Sequence, residues 1–187
     1  MAIRVYIDQG HNPVSPNTGA ERNGLTEQEI TYEVGRLLYE KLRANPNYEA
    51  RLSRPTPTTQ LGTSNAGSLR ARVQGAEDFG ADLFLSIHTN ASVNSSASGS
   101  EALVYRVDST AGRIGEILLR SMTRLTGLRN RGVIARPGLY VLRKTSMPAV
   151  LMEIGFISNP GDAALMRDNP DLFAEGLYRG LNAYYGF

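Results

Sequence analysis

The chain contains two histidines, His11 and His88, and each stands just beyond an apolar run. Ile3-Arg4-Val5-Tyr6-Ile7 leads through Asp8-Gln9-Gly10 into His11, and Leu83-Phe84-Leu85-Ser86-Ile87 leads directly into His88. A third run, Pro148-Ala149-Val150-Leu151-Met152, ends in the same way at Glu153. Short apolar runs bounded by turn formers read as buried strands, and ligands of open α/β sheets gather beyond the carboxyl ends of such strands. If the three strands lie side by side in parallel, two imidazoles and a carboxylate converge on one rim, which is the material of a catalytic metal site.

A second acid joins them from a helix start. Thr26 and Glu29 have the spacing of a capping box, and Ile30, Val34, Leu37, Leu38 and Leu42 continue with helical spacing. Glu29 then reaches back to the cap, whereas Glu27 has no local task. Taken singly, Glu27 is also explained by the helix dipole, and a histidine at a strand end by an ordinary structural hydrogen bond. Together, His11, Glu27, His88 and Glu153 offer what a hydrolytic zinc requires: protein ligands, room for a water, and a nearby base.

The totals narrow the classes. At 187 residues, with 41% hydrophobic and 20% charged positions, the chain is expected to form one globular domain over residues 1–187. Cysteine is absent, which excludes disulfides and thiolate ligands, so any zinc must be held by nitrogen and oxygen. The net charge of +2 comes almost entirely from arginine, with Lys41 and Lys144 the only lysines. No basic cluster with interleaved aromatics appears, so nucleic acid is not an expected partner. No run approaches membrane-spanning length, and Met1 to Val5 enter a strand without the basic and apolar regions of a secretory signal.

Between the chemical residues, the pattern predicts alternating elements. Asn12 to Ala20 is a polar loop, Tyr48 to Ser53 alternates as a strand, and a second helix runs from about Ser64 or Gly67 to Phe79 with Gly80 as its stop. Thr89 to Gly99 reads as a mobile loop, and Ala102 to Tyr105 as a strand, antiparallel because its connection is short. Glu101 is one more acid at the rim. A third helix spans Ala111 to Leu125, Arg129 to Gly132 reads as a basic turn, Leu139 to Leu142 as a short strand, and helical segments follow over Asp162 to Met166 and Asp171 to Tyr185. The expected fold is α/β: a single domain with a mixed, mainly parallel sheet and helices on both faces.

The order of four motifs goes further. Ile7-Asp8-Gln9-Gly10-His11, Asn23-Gly24-Leu25-Thr26-Glu27, Ser86-Ile87-His88-Thr89-Asn90 and Glu153-Ile154-Gly155-Phe156-Ile157-Ser158-Asn159 resemble the zinc-dependent N-acetylmuramoyl-L-alanine amidases of the amidase-3 family. Arg131-Gly132-Val133 and Tyr140-Val141-Leu142-Arg143 extend the resemblance over essentially the whole chain. It implies that His11, Glu27 and His88 ligate Zn2+ and that Glu153 is the general base. It implies peptidoglycan as substrate, action outside the cell or in the wall or periplasm, and no membrane insertion; a monomer is expected. Glu101, Arg131 and Asn90 are candidates for substrate contact, Arg131 through an acidic stem-peptide carboxylate. The family's first motif commonly has Pro and Gly where this chain has Gln9 and Asn12, which touches the backbone around His11. The stretch between His88 and Glu153 is too short for the inserted helix that blocks the zinc in regulated cell-division members, so an open site is expected. The rival readings are another zinc-dependent wall hydrolase, such as a peptidase or deacetylase, and a non-catalytic wall-binding module.

Overall fold

The computed structural model describes all 187 residues. Eight strands and six helices follow one another as β1 (Ile3–Gln9), β2 (Glu21–Arg22), β3 (Leu25–Thr26), α1 (Glu27–Arg43), β4 (Tyr48–Leu52), α2 (Asn65–Phe79) and β5 (Leu83–Asn90), then β6 (Ser100–Val104), α3 (Thr110–Thr126), β7 (Asn130–Ala135), α4 (Tyr140–Lys144), β8 (Ala149–Phe156), α5 (Pro160–Asp168) and α6 (Pro170–Tyr185). Six strands form one sheet in the order β4-β1-β5-β8-β6-β7. The first four are mutually parallel, β6 runs antiparallel to β8, and β7 is parallel to β6. This is the mixed, mainly parallel α/β sheet that the strand and helix pattern predicts.

Side chains alternate between the two faces of a strand, and the core divides accordingly. Val5, Ile7, Leu85, Ile87, Val150 and Met152 face the larger core, which Val34, Leu38, Leu118, Phe173 and Leu177 of α1, α3 and α6 complete. Tyr6, Phe84, Leu103 and Leu151 face a smaller core shared with Val73, Ala76 and Phe79 of α2 and with Val141 and Leu142 of α4. The same alternation puts Asp8, Ser86, His88, Glu101 and Glu153 on the face covered by α2 and α4. Helix ends are set locally: Ser64 caps α2 by accepting from the Gly67 N–H, Gly80 ends it in the left-handed conformation, and Gly127 ends α3 likewise. No helix is long and apolar enough to cross a membrane.

Two local expectations are corrected. Leu139 to Leu142 is not a strand: Tyr140–Lys144 forms a short helix whose Val141 and Leu142 plug into the smaller core. A four-residue apolar run suits either conformation, and tertiary packing decides. Arg129 to Gly132 is not a turn but enters the edge strand β7, whose outer position leaves it too polar to show a strand pattern. The hairpin of β2 and β3 was not anticipated, although Asn23-Gly24 turns it with both residues at positive φ. Thr26 does cap α1 in position, but its hydroxyl donates to Glu29 Oε2 at 2.6 Å and makes no side-chain bond to the helix backbone.

Close approach of α3 and α6 is permitted by glycine. A Cβ on Gly176 would lie 2.4 Å from Met122 Cα, a backbone atom that cannot turn aside. Gly176→Ala should therefore lower the unfolding free energy by about 1–3 kcal/mol in a denaturant titration. An unchanged midpoint would mean that the two helices separate without cost.

Candidate metal centre

Each residue at the rim is delivered by a different element. β5 carries His88, and its parallel register with β8 pairs His88 directly with Glu153. β1 ends one pairing step away, and the chain then turns sharply, with His11 in the left-handed conformation at φ 66°. Gly10 makes that turn possible beside His88: a Cβ there would stand 2.6 Å from the imidazole Nε2 and 2.7 Å from the Ile87 carbonyl oxygen. Gly19 gives similar clearance, since its Cβ would fall 2.6 Å from Glu27 Cβ and 2.9 Å from His11 Cδ2.

Glu27, in the first turn of α1, closes the group. Its Oε1 is 3.1 Å from His88 Nδ1 and accepts the Thr89 N–H at 2.9 Å, while its Oε2 is 3.1 Å from His11 Nε2 and accepts the Ala20 N–H at 3.0 Å. One ligand atom from each of His11, Glu27 and His88 lies within 4.8 Å of the others. Burial works to raise the Glu27 carboxyl, but hydrogen bonds from both imidazoles hold it well below the ordinary glutamate range. The set therefore stays anionic, and two imidazoles with one carboxylate are a donor set that suits a catalytic zinc. His11 Nδ1 is buried without a partner, so that ring is not fully accounted for by protein contacts. A divalent ion fits the residues present.

Glu153 sits beside this group with its Oε2 buried and unpartnered. Its carboxyl is pushed up to about 8, first by burial and then by the negative charges of Glu27 and Glu101. Glu101 is the cross-strand neighbour of Glu153 on β6. It accepts the Asn90 amide at 2.5 Å and the Arg131 Nε at 3.3 Å, and the Arg131 guanidinium stacks 5.0 Å above Phe156. All seven sequence-predicted residues thus belong to one rim, with His11, Glu27, His88 and Glu153 at its centre and Asn90, Glu101 and Arg131 to one side. A cavity of about 140 Å³ opens beside the two imidazoles, lined also by Leu69, Leu139, Val141 and Leu151. A larger groove of about 920 Å³ runs along the opposite rim, between Tyr105–Ala111 and Leu142–Ala149, and holds none of these groups.

Residues 5–183 match the family model described as N-acetylmuramoyl-L-alanine amidase. The chain belongs to this amidase family. It is 33% identical over 185 residues to the N-acetylmuramoyl-L-alanine amidase LytC of Bacillus subtilis (strain 168), covering 97% of this chain and 35% of that protein. It is 32% identical over 180 residues to CwlM, an amidase of Bacillus licheniformis, covering 95% of this chain and 65% of the relative. The chain thus spans between about a third and two-thirds of the length of these two relatives. Among solved structures, the N-acetylmuramoyl-L-alanine amidase from Clostridium difficile 630 superposes with a TM-score of 0.87 at 28% identity, covering 99% of this chain and 97% of the other.

The sequence marks Gln9 and Asn12 as flanking the His11 turn but not the contacts they make. Both are fully buried. Gln9 donates to the Tyr32 carbonyl and accepts the Arg54 N–H, and Asn12 clamps Leu61 from both sides and donates to the Pro16 carbonyl. The loop Ala91–Gly99 is tethered where Asp162 accepts from Ser98 and Gly99, and where Asn159 donates to the Ser95 carbonyl.

The raised Glu153 carboxyl fixes a sign for stability. A carboxyl protonated in the metal-free folded protein but ionised in the unfolded chain withdraws stability as pH climbs from about 4.5 to about 8. In metal-free protein, Glu153→Gln should raise the melting temperature relative to wild type at pH 8.5 and leave it nearly unchanged at pH 4. A gap that shrinks on raising the pH would contradict the assignment.

Proposed function

We propose that this chain is a zinc-dependent hydrolase that cleaves the amide between the lactyl group of N-acetylmuramic acid and L-alanine in peptidoglycan. Membership of the amidase family supports the substrate class. The observation that carries the reading is the convergence of His11, Glu27 and His88 donor atoms within 4.8 Å, beside Glu153 on the adjacent strand. Three nitrogen and oxygen donors leave a position free for water, as in catalytic zinc sites. When bound there, zinc supplies a Lewis acid and lowers the pKa of a water toward neutrality.

The remaining steps belong to the protein. Glu153 takes a proton from the attacking water and directs its lone pair at the lactyl carbonyl. It then hands that proton to the departing alanine nitrogen, because an amide nitrogen leaves poorly unless it is protonated. Burial keeps this carboxyl basic enough for the first step and acidic enough for the second. Glu101 holds Asn90 and Arg131 at the edge of the site, where Arg131 retains N–H groups to meet a stem-peptide carboxylate. On this reading the site acts on wall polymer, outside the cell or in the wall or periplasm, and the active form is a monomer.

Glu153→Gln should retain zinc while losing activity by roughly a hundred- to ten-thousand-fold. Muropeptide mass spectrometry should then find free L-alanine amino termini and intact glycan strands with wild type alone. Released acetate, or cleavage within the stem peptide, would instead assign a deacetylase or a peptidase. Wall-dye release that survives chelation would remove the metal from the mechanism.

Arg131→Ala should raise KM with little change in kcat, and an unchanged KM would end its role in binding. Between β5 and β8 the only helices are α3, which packs in the larger core on the face away from His88, and the five-residue α4. Turnover is therefore expected without an activator protein.

A further inference from the structure

Arg54 and Arg72 are both completely buried, and neither belongs to the donor set. Arg72 projects from α2 onto the end of β1. One terminal nitrogen donates to Asp8 Oδ1 and to the Gln9 carbonyl, both at 2.6 Å. The other donates to the His11 carbonyl at 2.5 Å and to Asn12 Oδ1 at 3.4 Å. Asp8 is held from its other side by the Ser86 hydroxyl at 2.7 Å, and the Arg72 charge with that hydroxyl keeps its carboxyl ionised despite burial. The guanidinium is thus anchored on an anion, its two terminal nitrogens reach residues 9 to 12, and its Nε donates to Ser68 Oγ at 3.4 Å.

Those residues form the turn that aims His11. The left-handed backbone at His11 is unfavourable for a residue with a side chain and persists only where the surroundings dictate it. Two carbonyls flanking Gly10, those of Gln9 and His11, are gripped by one planar fork. A simple ion pair with Asp8 would need neither contact, and a buried ion pair is by itself weak support for a fold. We propose that Arg72 is the positioning residue that presents the His11 imidazole to the metal, by fixing both carbonyls of this turn. It is not among the metal donors. Lysine cannot replace it, since a single ammonium lacks the planar fork that spans both carbonyls and the carboxylate.

The inference rests on reading His11, Glu27 and His88 as a metal centre, and its test reads metal affinity rather than turnover. Zinc binding is measured by competition with a chromogenic chelator on wild type, on Arg72→Lys, which keeps the charge opposite Asp8, and on Phe173→Leu, a core change in α6 that lowers stability elsewhere. Arg72→Lys should fold, by circular dichroism, and bind zinc about 10- to 100-fold more weakly, as loss of an outer-shell partner does. Phe173→Leu should melt earlier with its zinc affinity unchanged. Equal affinity in Arg72→Lys and wild type, or an equal loss in Phe173→Leu, would overturn the proposal while leaving the metal centre intact. Absence of zinc binding by wild type would instead remove the metal-centre reading itself. Should Arg72→Lys fail to fold, the isosteric Asp8→Asn loosens the same anchor. It should weaken zinc in the same direction, and no change there overturns the proposal equally.

Discussion

One buried carboxylate holds the rim together. Glu27 uses both oxygens, each shared between one imidazole and one backbone N–H, so four groups from three parts of the chain agree on the position of a single side chain. That agreement constrains the fold. β1 and β5 must be neighbours, and α1 must begin beside the end of β1 although its body packs in the larger core. The short hairpin of β2 and β3 performs the reversal, and Asn23 at its tip donates to the Ile157 carbonyl just beyond β8 at 2.8 Å. The carboxylate is therefore fixed from β5, from the turn after β1 and from the loop before β2, and the hairpin itself is tied to the chain beyond β8.

The charge distribution follows from the same packing. Glu27, Glu101 and Glu153 share one rim and one face, and Arg131, paired with Glu101, is the cation that answers them there. Burial first, and then the charges of Glu27 and Glu101, favour the neutral form of Glu153, whose carboxyl is pushed up to about 8. A divalent cation on the donor set would oppose that effect and favour the ionised carboxylate. A site built this way carries acids in excess of its own bases, and an added cation restores the balance.

How much of this was legible depended on how local each signal is. The apolar runs ending at His11, His88 and Glu153 needed only their own residues to be read, and so did the Ser64 and Gly80 caps of α2. α4 and β7 depend on what covers them: Val141 and Leu142 form a helix because the smaller core has room for two inward side chains, and β7 pairs as an edge despite its polar residues. Glu27 stood out because its neighbour Glu29 had a local partner and it had none. Arg72 could have been found by the same logic. It lies at helical spacing among Leu69, Val73 and Ala76, and a charge on the inward stripe of a helix demands a buried partner. Which partner it meets, 60 and more residues earlier in the chain, was not in the local pattern.

Unsatisfied atoms point to the same place. Four buried side-chain polar atoms lack hydrogen-bond partners: His11 Nδ1, Thr89 Oγ1, Glu153 Oε2 and Arg54 Nε. The first three lie at the rim, beside a histidine held at positive φ. The large core beneath tolerates this, since 25 buried residues of the sheet and of α1, α3 and α6 pack there without any of the rim's polar groups. Departures from local consistency are expected where a surface must bind something, and here they cluster around one prospective ligand position instead of being scattered through the fold.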